Sequence, residues 1–287
     1  MTKNLGRHYI KSLDKYLRLP IRMRDTIKKL IAGERHMYPI LFSYKFITIG
    51  SYGLMLGMAF YLAFLLTERE LTIRGKDPEL AYKLLLVIIP SAIVGAKIFH
   101  IFENMDEFLR DPKGMIFSGA GLSVFGGFIL AFLLSMILIR KNNESILEIF
   151  DVTVPAMTFA YGVGRLGCHV SGDGCYGITT TTFLGTPYPN GIVPSSAAVF
   201  PTPLFESFFS FMLFIFIMKL RKRDMPAGKI FFIYLILNGS ARFVVEFIRL
   251  NPVIGFGLTQ AQVIAIFYVL TGILGWVLVE KQAKKAV

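Results

Sequence analysis

The chain alternates long apolar runs with short polar stretches, and this pattern sets its architecture. Seven runs, near 45–66, 80–102, 116–139, 147–166, 203–220, 229–248 and 259–279, approach or exceed the ~18–20 residues needed to cross a bilayer core. The pattern therefore predicts an all-α polytopic membrane protein with seven transmembrane helices. Residues 37–287 form this membrane domain, and residues 1–36 stand apart as a basic N-terminal extension. In that extension Met23, Ile27, Leu30 and Ile31 share one helical face, with Arg22, Arg24, Lys28 and Lys29 around them. The spacing suits either an amphipathic helix on anionic headgroups or a solvated tail, and Met37 is a third reading as the start.

Composition agrees with the pattern. Of 287 residues, 54% are hydrophobic and 17% charged, against about 25% charged in an ordinary soluble domain. The net charge of +12 does not point to nucleic acid, because the cations sit in short loops where they set topology. One set of loops holds fourteen of them: Arg69, Arg74, Lys76 and Lys83; Arg140 and Lys141; Lys219, Arg221, Lys222, Arg223 and Lys229; and Lys281, Lys284 and Lys285. The opposite set holds three, Arg110, Lys113 and Arg249. The positive-inside rule then puts the C-terminus in the cytoplasm and the N-terminus outside. A long external loop at about 171–202 has no Lys or Arg and is rich in Gly, Pro, Thr and Ser. With only two cysteines, Cys168 and Cys175, neither a disulfide framework nor a thiolate metal site is implied. On an oxidising side the two could pair or remain as free thiols.

Ionisable residues inside apolar runs carry the chemistry, because each one is costly there. Residues 161–177, with six glycines, present Arg165, His169 and Asp173 at the end of the fourth run. In the sixth run Asn238, Arg242, Glu246 and Arg249 recur at intervals of four, four and three, one stripe on a helix. Arg242 and Glu246 can pair as i,i+4 neighbours. Arg165 and Arg242, from different spans, would form a forked clamp for a phosphate, and the natural phosphate in a bilayer is a lipid headgroup. Glu206 adds a carboxylate at the outer start of the fifth span, where it reads equally as a helix-start residue. Tyr52 reads equally as an interfacial anchor or as reaching the site. Glycines of the third span, Gly126 and Gly127 among them, allow close helix packing.

Taken together, these segments resemble the prolipoprotein diacylglyceryl transferases, from about Met37 to the C-terminus. The resemblance rests on Ser51-Tyr-Gly-Leu-Met, Val94-Gly-Ala-Lys-Ile-Phe, Leu122-Ser-Val-Phe-Gly-Gly127, Asp151-Val-Thr-Val-Pro155, Gly164-Arg-Leu-Gly167, Pro201-Thr-Pro-Leu-Phe-Glu206 and Ala241-Arg-Phe-Val-Val-Glu-Phe-Ile-Arg249. It implies a multi-pass enzyme of the bacterial cytoplasmic (inner) membrane with its active site facing the outer side. The implied reaction moves the sn-1,2-diacylglyceryl group of phosphatidylglycerol to the lipobox cysteine thiol of a preprolipoprotein signal peptide. A thioether forms, glycerol phosphate leaves, and no cofactor or metal is implied. By the same resemblance Arg165 and Arg242 hold the phosphate and Glu246 orients the second arginine; these three, with Asp173 and with His169 four residues after Arg165, are the catalytic candidates. Tyr52, Gly126, Gly127, Gly164, Gly167, Glu206 and Arg249 are substrate-binding candidates. Three positions depart from the family pattern: Cys168 stands for an asparagine, Asp173 for a glutamate, and Phe125 for a histidine that has been a candidate base. Phe125 and Cys168 keep open a diverged paralogue with another acceptor or donor. A lipid-binding or translocating protein without chemistry is the alternative from a different class, and the clustered ionisable groups and the lack of repeated halves count against it.

Overall fold

A computed structural model of the chain describes residues 37–44, 47–118, 123–255 and 257–286. The basic extension at 1–36 lies outside the described residues. Among those described, six helices are long and apolar enough to cross a membrane: Ser51–Ile73 (α1), Glu79–Glu103 (α2), Ile146–Ser171 (α6), Thr202–Leu220 (α7), Lys229–Ile248 (α8 to Val245, then a 3-10 turn) and Gln260–Lys285, within α9 (Gln260–Ala286). Two short helices, α3 (Met105–Arg110) and α4 (Pro112–Phe117), precede α5 (Val124–Lys141). Among the described residues there are also three two-stranded antiparallel hairpins: β1 (Ile40–Tyr44) with β2 (Ile47–Gly50), β3 (Thr186–Tyr188) with β4 (Ser195–Val199), and β5 (Val253–Gly255) with β6 (Leu258–Thr259).

Several helix boundaries differ from the apolar runs. The first helix covers 51–73 rather than 45–66. Residues 40–50 are rich in β-branched and aromatic side chains, which suit a hairpin, and Ser51 N–H closes that hairpin onto the Pro39 carbonyl at 2.9 Å. At its other end α1 continues through Glu68, Arg69 and Glu70, because Glu70 is buried in an ion pair with Arg221 and Leu71 is fully buried. The third run was expected from 116, but Asp111 caps a separate short helix with Pro112 at its first position, accepting from Gly114 N–H at 2.9 Å.

The chain divides into two compact units. One comprises 60–157, 220–232 and 275–287. Its core is Leu71, Leu80, Ala81, Leu84, Ile139, Ile149 and Val152. Asp151 is buried and accepts from Gly228 N–H and Phe231 N–H, each at 2.7 Å. A carboxylate there satisfies orphan donors and complements the positive end of α8. Lys76 joins Glu144 at 2.5 Å and Glu148 at 2.7 Å. Burial lowers the Lys76 pKa, yet those two carboxylates outweigh it and leave the ammonium above its ordinary value. In the same unit α2 and α5 meet at Gly95, Gly126 and Gly127.

The other unit comprises the described residues before 60 together with 158–219 and 233–274. Ser207 Oγ donates to the Gly162 carbonyl at 2.9 Å and Ser210 Oγ to the Thr158 carbonyl at 2.6 Å, stitching α7 to α6. Between these helices the loop without Lys or Arg is ordered by its own core. Tyr188 is fully buried, Tyr176 stacks on it at 4.9 Å, and Val199 packs with them. The loop is tied to the chain after α8 by Ile178 N–H donating to the Ile248 carbonyl at 2.9 Å. Its tip leaves Phe183 95% exposed.

Candidate active site

The site forms around Glu206, on the second turn of α7, just after Pro201-Thr-Pro203. Its side chain is 5% exposed, and a buried carboxylate must be paired and hydrogen-bonded. Tyr161 Oη donates to Glu206 Oε1 at 2.7 Å, and Arg242 Nη1 donates to the same oxygen at 2.9 Å. Arg165 Nη2 lies 3.3 Å from that oxygen. Arg249 Nη1 donates to Oε2 at 3.1 Å. Arg165 sits one turn after Tyr161 on α6, with its guanidinium carbon 4.9 Å from the ring centroid, within cation–π range.

Glu246 is the second carboxylate, fully buried in the 3-10 turn that ends α8. Its Oε2 lies 2.8 Å from Arg242 Nη2 and 3.7 Å from Arg249 Nε. Its Oε1 accepts from Asn251 Nδ2 at 2.5 Å and from Thr259 Oγ1 at 2.9 Å. Thr259 is fixed in turn by Gln262, whose N–H donates to Thr259 Oγ1 at 3.2 Å and whose Oε1 accepts from Thr259 N–H at 2.9 Å. Three guanidiniums thus share two carboxylates and leave one excess positive charge. Arg165 is 18% and Arg242 22% exposed, so both can meet an anion that the surrounding groups do not supply.

The cluster contains Arg165, Arg242, Glu246, Glu206 and Arg249 of the sequence candidates. His169 is elsewhere: its Nδ1 hydrogen-bonds with Tyr188 Oη at 2.9 Å, in the core of the loop. Burial pushes the Tyr188 phenol above its ordinary range. Asp173 belongs to a second group on the same unit. Its Oδ1 accepts from Cys175 N–H at 3.0 Å, and one donor atom each of Cys168, Asp173 and Cys175 lies within 4.8 Å of the others. Gly172 and Gly174, at φ +59 and +87, flank Asp173 and make the tight turn that folds it back on α6. Both cysteines are free. A hydrogen bond from the Cys168 thiol outweighs burial and holds Cys175 down to about 7.

Tyr52, at the start of α1, is 40% exposed and packs beside Gly167, its Cδ2 lying 3.6 Å from where a Gly167 Cβ would be. At Gly164 a Cβ would meet nothing within 4 Å. Gly126 and Gly127 lie in the other unit, where a Cβ at Gly126 would strike Phe99 and the Gly95 carbonyl, and one at Gly127 would come 2.7 Å from the Ala92 carbonyl. Their faces are taken up by helix packing. Phe125 is 39% exposed. Sequence reasoning missed Tyr161, although its place four residues before Arg165 was a usable signal. It also missed Asn251 and Thr259, for which no local pattern exists.

The chain matches the prolipoprotein diacylglyceryl transferase family over residues 39–278. It is 34% identical over 230 residues to the phosphatidylglycerol–prolipoprotein diacylglyceryl transferase 2 of Clostridium perfringens, covering 79% of this chain and 89% of that one. The corresponding transferase of Leptospira interrogans is 32% identical over 244 residues, 76% of this chain and 77% of its own length. That of Clostridium tetani is 28% identical over 239 residues, 83% and 96% of the two chains.

Proposed function

The chain belongs to the prolipoprotein diacylglyceryl transferase family, and from that premise we propose that Arg165, Arg242 and Arg249, gathered on Glu206 and Glu246, seat the phosphate of the lipid donor. The protein is a membrane transferase that moves a diacylglyceryl group from phosphatidylglycerol to prolipoprotein. One observation carries the assignment of the site. Three guanidiniums face two carboxylates in a buried setting, so the cluster is one anion short. Guanidinium forks match phosphate oxygens and keep their charge at any working pH.

In this reading the lipobox cysteine of the acceptor attacks, as thiolate, the glycerol carbon that bears the phosphate. A C–S bond forms and the C–O bond breaks. The electron pair leaves on the phosphate oxygen, and glycerol phosphate departs. Negative charge grows on the leaving group in the transition state, and Arg165 and Arg242 are pre-positioned to stabilise it. Glu246, locked by Asn251 and Thr259, fixes the fork of Arg242, while Glu206 and Tyr161 set the distance between the arginines. Tyr52 and the open face at Gly164 lie on the approach to Arg165. Seven spans, with α5 as the third, an external N-terminus and a site on the outer side of the inner membrane complete the proposal. The fourteen-to-three bias of loop cations supports that orientation.

The test combines purified protein, phosphatidylglycerol and a lipobox peptide, with mass spectrometry of the peptide. A diacylglyceryl mass increase is expected that disappears with a Cys→Ser peptide and with Arg242→Ala. An adduct that persists in Arg242→Ala would remove the phosphate clamp.

A further inference from the structure

The transfer needs a thiolate, and the phosphate cluster holds no base for it. Glu206 and Glu246 are each engaged by two or more guanidiniums or amides. His169 is engaged by Tyr188 in the loop core. Phe125 is an aromatic hydrocarbon and takes no proton. The acceptor thiol must therefore be activated by something other than these groups.

Beside Arg165 lies the second group. Cys168 is three residues further along α6, so its side chain neighbours that of Arg165 on the helix surface. Cys168, Asp173 and Cys175 each offer one ligating atom, and these atoms all lie within 4.8 Å of one another. The arrangement is built into the backbone. Gly172 N–H donates to the Cys168 carbonyl at 3.0 Å and Asp173 N–H does so at 3.4 Å. Asp173 Oδ1 accepts from Cys175 N–H at 3.0 Å, and a carboxylate oxygen of Asp173 lies within 4.8 Å of both sulfurs. Thr202 Oγ1 then pins the Cys175 carbonyl at 2.6 Å. Cys168 is 7% exposed, so its thiol is not a surface accident.

Two thiolates and a carboxylate are the donor set of a borderline-soft divalent cation of the zinc class. Zinc–sulfur bonds of about 2.3 Å in a tetrahedron place two sulfurs about 3.8 Å apart. The observed spacing reaches that by side-chain rotation of up to about an ångström. Three protein ligands are the number found where the fourth position takes a water or a substrate. The acceptor of this reaction is itself a thiol.

We propose that Cys168, Asp173 and Cys175 bind a zinc-class divalent ion whose fourth position takes the acceptor's cysteine sulfur. This rests on the transferase reading above. Coordination deprotonates the thiol, its proton passing to solvent, and presents the sulfur as thiolate one helical turn from the phosphate seat. The sulfur then attacks the glycerol carbon as described, and the thioether, a weak ligand, leaves the metal. The site supplies by coordination the activation that a base would otherwise give.

Cobalt(II) reports the site without turnover. The full chain, reduced and stripped of metal in detergent, is titrated with cobalt, and thiolate-to-cobalt charge transfer is followed. One equivalent is expected to bind with those bands, and zinc is expected to displace it. The bands are expected to vanish in a Cys168→Ser, Cys175→Ser double variant. Affinity is expected to fall at least tenfold in Asp173→Asn, which keeps the acceptor for Cys175 N–H and so the turn. A lipobox peptide, but not its Cys→Ser form, is expected to shift the cobalt spectrum. Charge-transfer bands no stronger than in the double variant would overturn the proposal. So would a mass two hydrogens low in the protein as purified, before reduction, marking a disulfide, or full transfer by the stripped enzyme under a strong chelator. Arg242→Lys separates the two readings, since it keeps the cobalt bands while losing transfer. Bands that respond to the peptide without any adduct from wild-type protein uphold the metal site and count against the transferase reading.

Discussion

Arg242 Nη1 reaches Glu206 Oε1 at 2.9 Å across 36 residues of sequence, while Arg242 Nη2 lies 2.8 Å from Glu246 Oε2. One guanidinium thus bridges α7 and the end of α8, and only a planar fork can hold both carboxylates and still face an anion. Lysine keeps the charge but offers one compact head. Arg242→Lys is therefore expected to fold and to lose about 10²-fold in kcat/KM, the size of effect seen when one pre-positioned donor is removed. Initial rates over a range of phosphatidylglycerol concentrations decide it. Turnover close to wild type would mean that the fork does not act on the leaving phosphate.

Glu206 serves as counterion to all three arginines, and an amide in its place leaves Arg242 and Arg249 facing Glu246 alone and takes from Arg165 its carboxylate. Breaking a buried ionic network from one side costs on the order of 3–5 kcal/mol. Glu206→Gln is expected to lower the thermal midpoint in detergent, and free glycerol phosphate is expected to restore more of it than it adds to wild type. Equal shifts in both proteins would show that Glu206 does not border the phosphate seat.

Much of this was legible because it is local. Apolar runs longer than a bilayer needs marked the helices, and the stripe Asn238, Arg242, Glu246, Arg249 followed from 3.6-residue periodicity. Even there Arg249 lies past the helix, in extended backbone after the 3-10 turn, and reaches Glu206 from outside the α8 stripe. What depends on distant partners was not legible. Nothing near Glu206 separates a helix-start carboxylate from a hub, since its partners lie 36, 43 and 45 residues away. The end of α1 was hidden for the same reason, as Glu70 reads as a loop charge until Arg221 buries it. The glycines of the third run read alike as packing or binding, and only α2 against their faces distinguishes them.

Tyr161 illustrates a residue found only through the structure. Its hydroxyl donates to Glu206 at 2.7 Å while its ring lies under Arg165. Tyr161→Phe removes the donor and keeps the ring. A hydrogen bond to a charged acceptor contributes about 1.5–3 kcal/mol, so the thermal midpoint is expected to fall while transfer drops by less than in Arg165→Ala. A loss of transfer as complete as in Arg165→Ala would give the phenol a role in the chemistry itself.

Cys175 offers a pH-dependent signature. With its thiol held down to about 7 by the hydrogen bond from Cys168, the folded protein favours the thiolate. The stability this contributes is present above the ordinary thiol range and fades as pH falls through about 7. In metal-free protein, iodoacetamide labelling of Cys175 is expected to reach half its maximal rate near that pH. Cys168→Ala removes the donor and is expected to move the midpoint upward. An unchanged midpoint in that variant would refute the thiol–thiol hydrogen bond as its cause.

Gly164 and Gly126 predict opposite outcomes from the same substitution. A methyl at Gly126 strikes Phe99 and the Gly95 carbonyl, both in a packed helix contact. Overpacking of that kind costs about 1–3 kcal/mol, so Gly126→Ala is expected to lower the thermal midpoint. At Gly164 the methyl meets nothing within 4 Å, and alanine in a helix is favoured over glycine by about 0.8–1 kcal/mol. Gly164→Ala should therefore hold or raise the midpoint. Because Gly164 directly precedes Arg165 on α6 and lies on the proposed approach of the substrate, transfer is expected to fall about tenfold in a protein that is no less stable. Stability and activity moving apart in this way identify space reserved for substrate, since a packing defect lowers both. If Gly164→Ala transferred at the wild-type rate, the approach to Arg165 would have to run along another face of α6.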